Sequence, residues 1–432
     1  VSIRGFNGRL ANKLQVLIDG RSVYNPLFAG VQWEQLDTLM EDIDRIEVIR
    51  GPSAAVWGAN AVNGVINVIT KKAADTQGLF LTAGGGSFEH GFFGARYGGK
   101  INNSTPYRVY VKGFTRDKMR SISGESANDD WHNARGGFRL EHTRGIDQLT
   151  LQGDLFYNSH GSSLDKSILS APIIQAEAAR GNTLGGNIRL RWDRIYSEKS
   201  AIMLQTYYDR NDQRLLTGFS DNTESFDIDF QHRFPFLDRH DLTWGANYRL
   251  YHNKVFDTEL ASFRPRQQTN HLASIYLRDE MTLIPEHLRF TLGARLDHND
   301  FTGLEVQPNA RLMWTPNEQN SVWMSVSRAV RTPARSENSS RLNVQTQSRL
   351  PGAPSFPALI QAIGSSNFNS EKLIAYELGY RHQFSPLASI DIAAFYNDYS
   401  QLRDLSPGML SFKSGLSPYF ILPVMLTNEA SA

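Results

Sequence analysis

The chain contains no cysteine, which excludes disulfides and thiolate metal sites. It has no run of 18 or more apolar residues, and its mean hydropathy is −0.39, so helical membrane spans are excluded. A membrane β-barrel escapes that exclusion, because its apolar residues alternate with polar ones and dilute any window average. Charge is balanced, with 45 Lys and Arg against 44 Asp and Glu, a net charge of +1. A nucleic-acid binder would show a basic patch or stripe, so that class is set aside. The 11 histidines are scattered, and only His298, in DHND, lies among acidic residues. It reads as a strand-end loop, and no metal is assigned. The glycine-rich GGGSFEHG (84–91) lacks the Gly-Lys-Ser/Thr of a phosphate loop, and no helix follows it. Its glycines read as a strand end and a tight loop. Ser53 lies in GPSAAVWG, which does not match the Gly-x-Ser-x-Gly nucleophile elbow. The sequence therefore offers no catalytic constellation and no cofactor site. The chain opens on Val1 with no charged-then-apolar leader and closes on polar NEASA, expected to be strandless. That reads as a stretch internal to a longer protein, or one trimmed at both ends.

What is present is most concentrated from Asp44 to Lys71, DRIEVIRGPSAAVWGANAVNGVINVITK. Ile46, Val48 and Ile49 make a β-prone run that stops at Gly51-Pro52, a strong turn signal. Ser53 is placed to cap one helical turn, SAAVW, and VINVIT is a second β-prone run after Gly58 and Gly64. VLIDGRSVY is predicted to be a hairpin, since Asp19-Gly20 supplies the positive φ angles of a type I′ turn. VQWEQLDTLM is predicted to be a short helix, with Trp33, Leu36 and Leu39 on one face.

From about Leu79 the pattern becomes a repeated alternation. DLTWGANYRL sets Leu242, Trp244, Ala246, Tyr248 and Leu250 against Asp241, Thr243, Asn247 and Arg249. RFTLGARLD and SFDIDFQHRF do the same, so each such segment has one apolar and one wet face. About 15 such segments can be counted, each near the roughly 10 residues that a tilted membrane strand needs. Short polar turns at SEKS (197–200), PFLDRH (235–240), IPEH (284–287) and NEQN (317–320) alternate with long connections. The long ones are expected at about Ser159 to Gly185, Lys254 to Thr269 and Thr332 to Glu371. This regular alternation is expected of an outer-membrane up-and-down barrel, whereas a soluble sandwich has no reason to obey it. The 24 Phe, 16 Tyr and 7 Trp would furnish aromatic girdles at the two membrane interfaces.

IRG at Ile3 to Gly5, LIDG at Leu17 to Gly20 and the Asp44 to Lys71 block together resemble the plug domain of TonB-dependent outer-membrane receptors. SVSRAVRTPARSE (325–337), NSEKLIAYELGYRHQF (369–384) and IDIAAFYNDYSQL (390–402) resemble late-barrel segments of that family. The resemblance implies an all-β, antiparallel transmembrane barrel with an N-terminal α+β plug. Residues 1–77 would be the plug and 78–432 part of a barrel that has 22 strands in a complete member. It also implies a monomer in the bacterial outer membrane that actively takes up a scarce nutrient, an iron–siderophore chelate above all. The energy-coupling partner would be TonB, acting through a box outside this chain. Uptake of cobalamin or another nutrient, and a surface receptor or adhesin without transport, remain alternatives, as does a soluble β-rich binding protein or enzyme. A haem receptor would be expected to carry a histidine between Thr332 and Glu371, where this sequence has none.

By the same resemblance, Arg4 and Arg50 should face acidic residues of the barrel wall. Glu377 and Glu371 are the matching positions, with Arg50–Glu377 the pair expected first. Guanidinium–carboxylate pairs can be bidentate and hold two rigid bodies in register. Ligand contacts are expected from Tyr24, Phe28, Trp57 and Asn60 at an outward plug apex, and from Arg331 and Arg335 where the last long loop begins. Aromatic area with a polar handle would suit a bulky polar ligand.

Overall fold

The computed structural model describes all residues except 1, 7, 9, 123, 168–173, 216–218, 349–355 and 416, and no side chains in 164–167 and 174–176. A single antiparallel sheet of 15 strands, from Gly78–Gly84 to Ala388–Ser400, dominates it. Every strand pairs with its predecessor in this sheet, an up-and-down meander. The two edge strands do not pair with each other among the described residues, so the curl is open.

The expected alternation is realised with its faces inverted relative to a soluble protein. Leu292 and Leu296 point out at 51% and 40% exposure, while Arg295 and Asp297, between and beside them, are buried. Phe226 and Ile228 likewise face out, and Asp227 faces in. An apolar exterior around a polar interior is what hydrocarbon outside and water or protein inside demand. No helix of the described residues is long and apolar enough to cross a membrane.

Connections alternate as expected, with corrections of detail. The turns at 103–104, 198–199, 237–239 and 318–319 are short and lie at one end. At the other end, most of the segment expected as a long loop from Ser159 is strand. Asp147–Ser167 and Ile174–Ser197 run on as a ribbon paired as far as Ser167 and Ile174. A second sheet, of six strands, roofs the long-connection end. It is built from Ala261–Phe263, Ser340–Gln347, Ala358–Ile363, Leu402–Pro407, Ser411–Lys413 and Tyr419–Ala430. The tail expected to be strandless therefore ends in a strand that includes Asn428 and Glu429.

The described residues of 1–77 lie within the curl. Four strands, in the order Arg21–Ser22, Leu14–Ile18, Gly64–Thr70, Ile43–Arg50, make its small sheet. Leu14–Ile18 and Gly64–Thr70 are parallel. The Asp19-Gly20 turn has φ +51° and +85°, as a two-residue hairpin requires. The helix expected in VQWEQLDTLM is reduced to two 3₁₀ turns, Trp33–Gln35 and Met40–Asp42. Ser53 sits at the N-cap of Ala54–Trp57, but its hydroxyl donates back to Gly51 O at 3.3 Å and makes no cap.

Candidate functional site

Inward side chains from across the big sheet reach the plug through many polar contacts and through apolar patches, in which plug Ala54 and Val62 pack with Ala329, Leu373, Ala375 and Tyr399 of the wall. Arg21 pairs with Asp209, Arg96 with Asp42, and Lys112 with Asp37 at 2.6 Å. Asp19 accepts from Thr70 N–H at 2.8 Å and from Gln152 Nε2 at 2.9 Å. Burial alone would raise the Asp19 carboxyl, but the Arg189 and Arg139 guanidiniums outweigh it and hold it below its usual range. On the other wall, Arg4 pairs with Glu377, whose second oxygen accepts from Ser325 Oγ at 3.0 Å. The Arg4 guanidinium also lies 4.3 Å from the Phe395 ring centroid.

Arg50 does not take the role expected of it. Its side chain is exposed at the end of the outer plug strand, and it has no ion pair among the described residues. The alternation of Ile43–Arg50 turns Arg50 to the same side as Ile46 and Val48, which are 55% and 52% exposed. Glu371 is likewise not an arginine partner of the plug. Its plug cation is Lys13, which sequence reasoning missed because a lone lysine outside any motif carries no signal. Burial pulls the Lys13 ammonium below its ordinary value, opposed by Glu371.

Arg331 and Arg335 also depart from expectation. Arg331 has no exposed side-chain surface; it donates to Glu371 at 2.8 Å and to both oxygens of Glu337, also at 2.8 Å. Arg335 donates to Asn253 O and Oδ1 at 2.9 Å and to Pro265 O. Both side chains are buried and their guanidiniums are engaged within the protein. The helical turn Arg335–Ser339 rests on the plug, with Ser336 N–H donating to Leu27 O at 2.9 Å.

Of the four plug residues, Tyr24 is buried against Ala29 and Ala334, its hydroxyl donating to Asn12 O at 3.0 Å. Burial pushes its phenol above the ordinary value. Phe28 is half-buried beneath the long connections, 4.6 Å edge-on to Phe219 and packed on Leu27, Val255 and Phe263. Asn60 ties plug to wall: its side-chain oxygen accepts from Thr332 N–H at 3.1 Å and its N–H donates to Val330 O at 2.9 Å. Trp57 packs on Leu17, Ala61 and Val65 and lines a cavity of about 1100 Å³ that also holds Asn103, Ser104 and Thr143. Asn103 and Ser104 form a short turn and Thr143 lies beside another, so this cavity opens toward the end opposite the roof. No group of acidic residues and histidines suited to a metal exists among the described residues.

Residues 75–416 match the family model "TonB dependent receptor-like, beta-barrel", and residues 1–65 match the "TonB-dependent Receptor Plug Domain". The chain belongs to the TonB-dependent receptor family. It is 26% identical over 310 residues to the vitamin B12 transporter BtuB of Photobacterium profundum, covering 70% of this chain and 48% of that protein. It is 23% identical over 445 residues to the ferric enterobactin receptor of Pseudomonas aeruginosa, covering 88% and 56%. The chain thus spans about half the length of these curated relatives. In structure it is similar to the ferric enterobactin receptor PfeA of P. aeruginosa, with TM-score 0.77, 16% identity, and 98% of this chain and 68% of that one covered. That likeness speaks for the fold.

Proposed function

We propose that this TonB-dependent receptor is an active nutrient transporter of the bacterial outer membrane. The supporting observation is the character of the plug–wall interface. Where ion pairs and hydrogen bonds seat the plug, it can separate from the wall with water taking over each partner, and the apolar patches at Ala54 and Val62 and at Leu27 and Phe28 are left to hold it. Polar interfaces within one chain are the ones that permit relative motion. This favours transport over a static receptor or adhesin. The energy would come from TonB, since the outer membrane holds no ion gradient.

The cargo we favour is an iron–siderophore chelate, because relatives and structural neighbours include ferric enterobactin receptors. Cobalamin is the second reading, on the 26% identity to a vitamin B12 transporter. The ligand would dock on the long-connection end, above Tyr24 and Phe28. The cavity beside Tyr24 measures about 50 Å³, room for a few waters only, so cargo must sit over the plug and not within it. A deletion strain grown on a panel of ferric chelates or on cobalamin tests this. Loss of growth on one nutrient, restored by the gene and abolished by a protonophore, is the expected result. Unimpaired growth on every nutrient would leave the receptor or adhesin reading.

A further inference from the structure

Two cavities lie on either side of the plug hairpin, along the same stretch of wall. The strands Ile174–Ser197, Ser200–Leu215, Ser220–Phe236 and His240–Phe256 send every second side chain inward. On the long-connection side, Asn187, Tyr207, Ser225 and Tyr251 face the cavity of about 50 Å³. The next inward residue on each strand, Arg189, Gln205, Asp227 and Arg249, faces the cavity of about 1100 Å³ at the short-turn side. Two residues of strand rise about 6.6 Å, so one layer of side chains parts the cavities.

The plug's share of that layer is a single turn. Asp19 and Gly20 line the larger cavity, and Arg21 and Ser22 the smaller. The turn is held to the wall by polar contacts alone. Arg189 donates to Asp19 O and, at 2.9 Å, to Gln205 Oε1; Gln205 Nε2 in turn donates to Gly20 O at 3.1 Å. Gly20 is pressed so close that an added Cβ would lie 3.0 Å from Gln205 Oε1. The returning strand Arg21–Ser22 is paired through two residue pairs only, against the five pairs that join Leu14–Ile18 to Gly64–Thr70. Beyond these pairs the tip is tied to the sheet by Asp19 N–H to Val68 O at 2.8 Å, Val23 N–H to Val16 O at 3.0 Å and the Asp19 carboxylate to Thr70, so its release breaks these few bonds and leaves the five pairs in place.

We propose that the Asp19-Gly20 turn is the gate of a permeation route along this wall, opened by local release of the tip and not by expulsion of the plug. The proposal rests on the transport reading. Beyond the gate the wall presents Arg191, Asp193, Asp229 and Gln231, so the route takes a hydrophilic solute and offers it exchangeable partners of both signs. On the opposite wall, the buried Lys13–Glu371–Arg331 cluster anchors the remainder.

The test is nitrocefin influx into cells that carry a periplasmic β-lactamase and produce the protein at equal surface amounts. Influx should rise stepwise from Gln205→Asn through Arg189→Lys to the double variant Arg189→Ala/Gln205→Ala, reaching several-fold. Arg4→Ala, which removes the plug's ion pair with Glu377 on the opposite wall, should leave it at baseline. A flat series overturns the gate, and so does an equal rise in Arg4→Ala, which would mean general loosening. Should the double variant fail to assemble, the two conservative variants decide alone. Nitrocefin needs neither the nutrient nor energy input, so a null growth panel and a null influx series are separate failures.

Discussion

Lys13 of the plug and Glu371 of the barrel wall form an ion pair in which each side chain is only 5% exposed. Glu371 is shared, since it also accepts from Arg331 at 2.8 Å and from Arg403 N–H at 3.0 Å. Removing the two partners should therefore have unequal effects. Lys13→Met leaves Glu371 still paired with Arg331, whereas Glu371→Met strands the Lys13 ammonium and costs Arg331 one of its two carboxylates. Breaking a buried pair so that a charge is left uncompensated costs about 3–5 kcal/mol. Chemical denaturation of the detergent-solubilised protein should place Glu371→Met in that range and Lys13→Met at least about 1 kcal/mol milder. Equal losses would mean that Arg331 does not compensate.

The second prediction separates the two plug arginines. Arg4 and Glu377 should show a coupling energy above about 1 kcal/mol in a double-mutant cycle. Arg50→Ala should change stability by no more than about 0.5 kcal/mol, as exposed substitutions do. Gly51 enters the same test. It sits at φ +89°, and a Cβ there would run into the Glu377 carboxylate and Arg4. Gly51→Ala should therefore cost more than about 1 kcal/mol by backbone strain and a displaced pair. A coupled Arg50 with an uncoupled Arg4 would reverse the assignment.

The contrast between Arg4 and Arg50 shows what was legible in the sequence. Period-2 alternation identified the big sheet and its strand count, because lipid on one side and polar lumen on the other act on every second residue. Asp19-Gly20 identified its hairpin, since few residue pairs accept two positive φ angles. Motifs located Arg4 and Arg50 in the chain but said nothing of which way each side chain points. Lys13 escaped notice, and the burial of Arg331 and Arg335 could not be foreseen, because exposure is a property of the packed molecule. The roof sheet was missed for a related reason. Most of its strands are short, as Ala261–Phe263 shows, and that one pairs with Ser340–Leu342, a segment distant in sequence. Trp57 lies in the most specific motif of all, yet the motif does not say which end of the lumen it faces.

Acid should loosen the hairpin. Asp19 has its carboxyl held below the usual value by Arg189 and Arg139, against burial that would raise it. A depressed folded value means that the stabilisation is fully present above the unfolded value of about 3.9 and is lost as pH falls through the folded one. Hydrogen exchange of Leu17 to Ser22 should thus be flat from pH 8 to 5, after correction for intrinsic rates, and accelerate below about pH 4. Asp19→Asn should exchange faster at neutral pH and lose the acid step. An acid step that survives in Asp19→Asn would assign it to another carboxylate.

Arg335 supplies the last prediction, because strut and ligand contact differ in how they treat charge. Its guanidinium is spent on Asn253 and Pro265 O, and its helical turn carries the roof on the plug through Leu27 O. Truncating it should disturb the roof for any cargo. If Arg335 instead met an anionic chelate, Arg335→Ala would weaken binding of ferric enterobactin and spare the uncharged cyanocobalamin. The strut reading predicts that whichever of the two ligands the protein binds is weakened, by tenfold or more if the loss exceeds about 1.4 kcal/mol. It also predicts that Arg335→Lys fails to restore affinity, since one ammonium cannot reproduce a planar fork that spans two backbone oxygens. Rescue by lysine with a ferric chelate as ligand would show that charge alone was needed and return Arg335 to the binding surface.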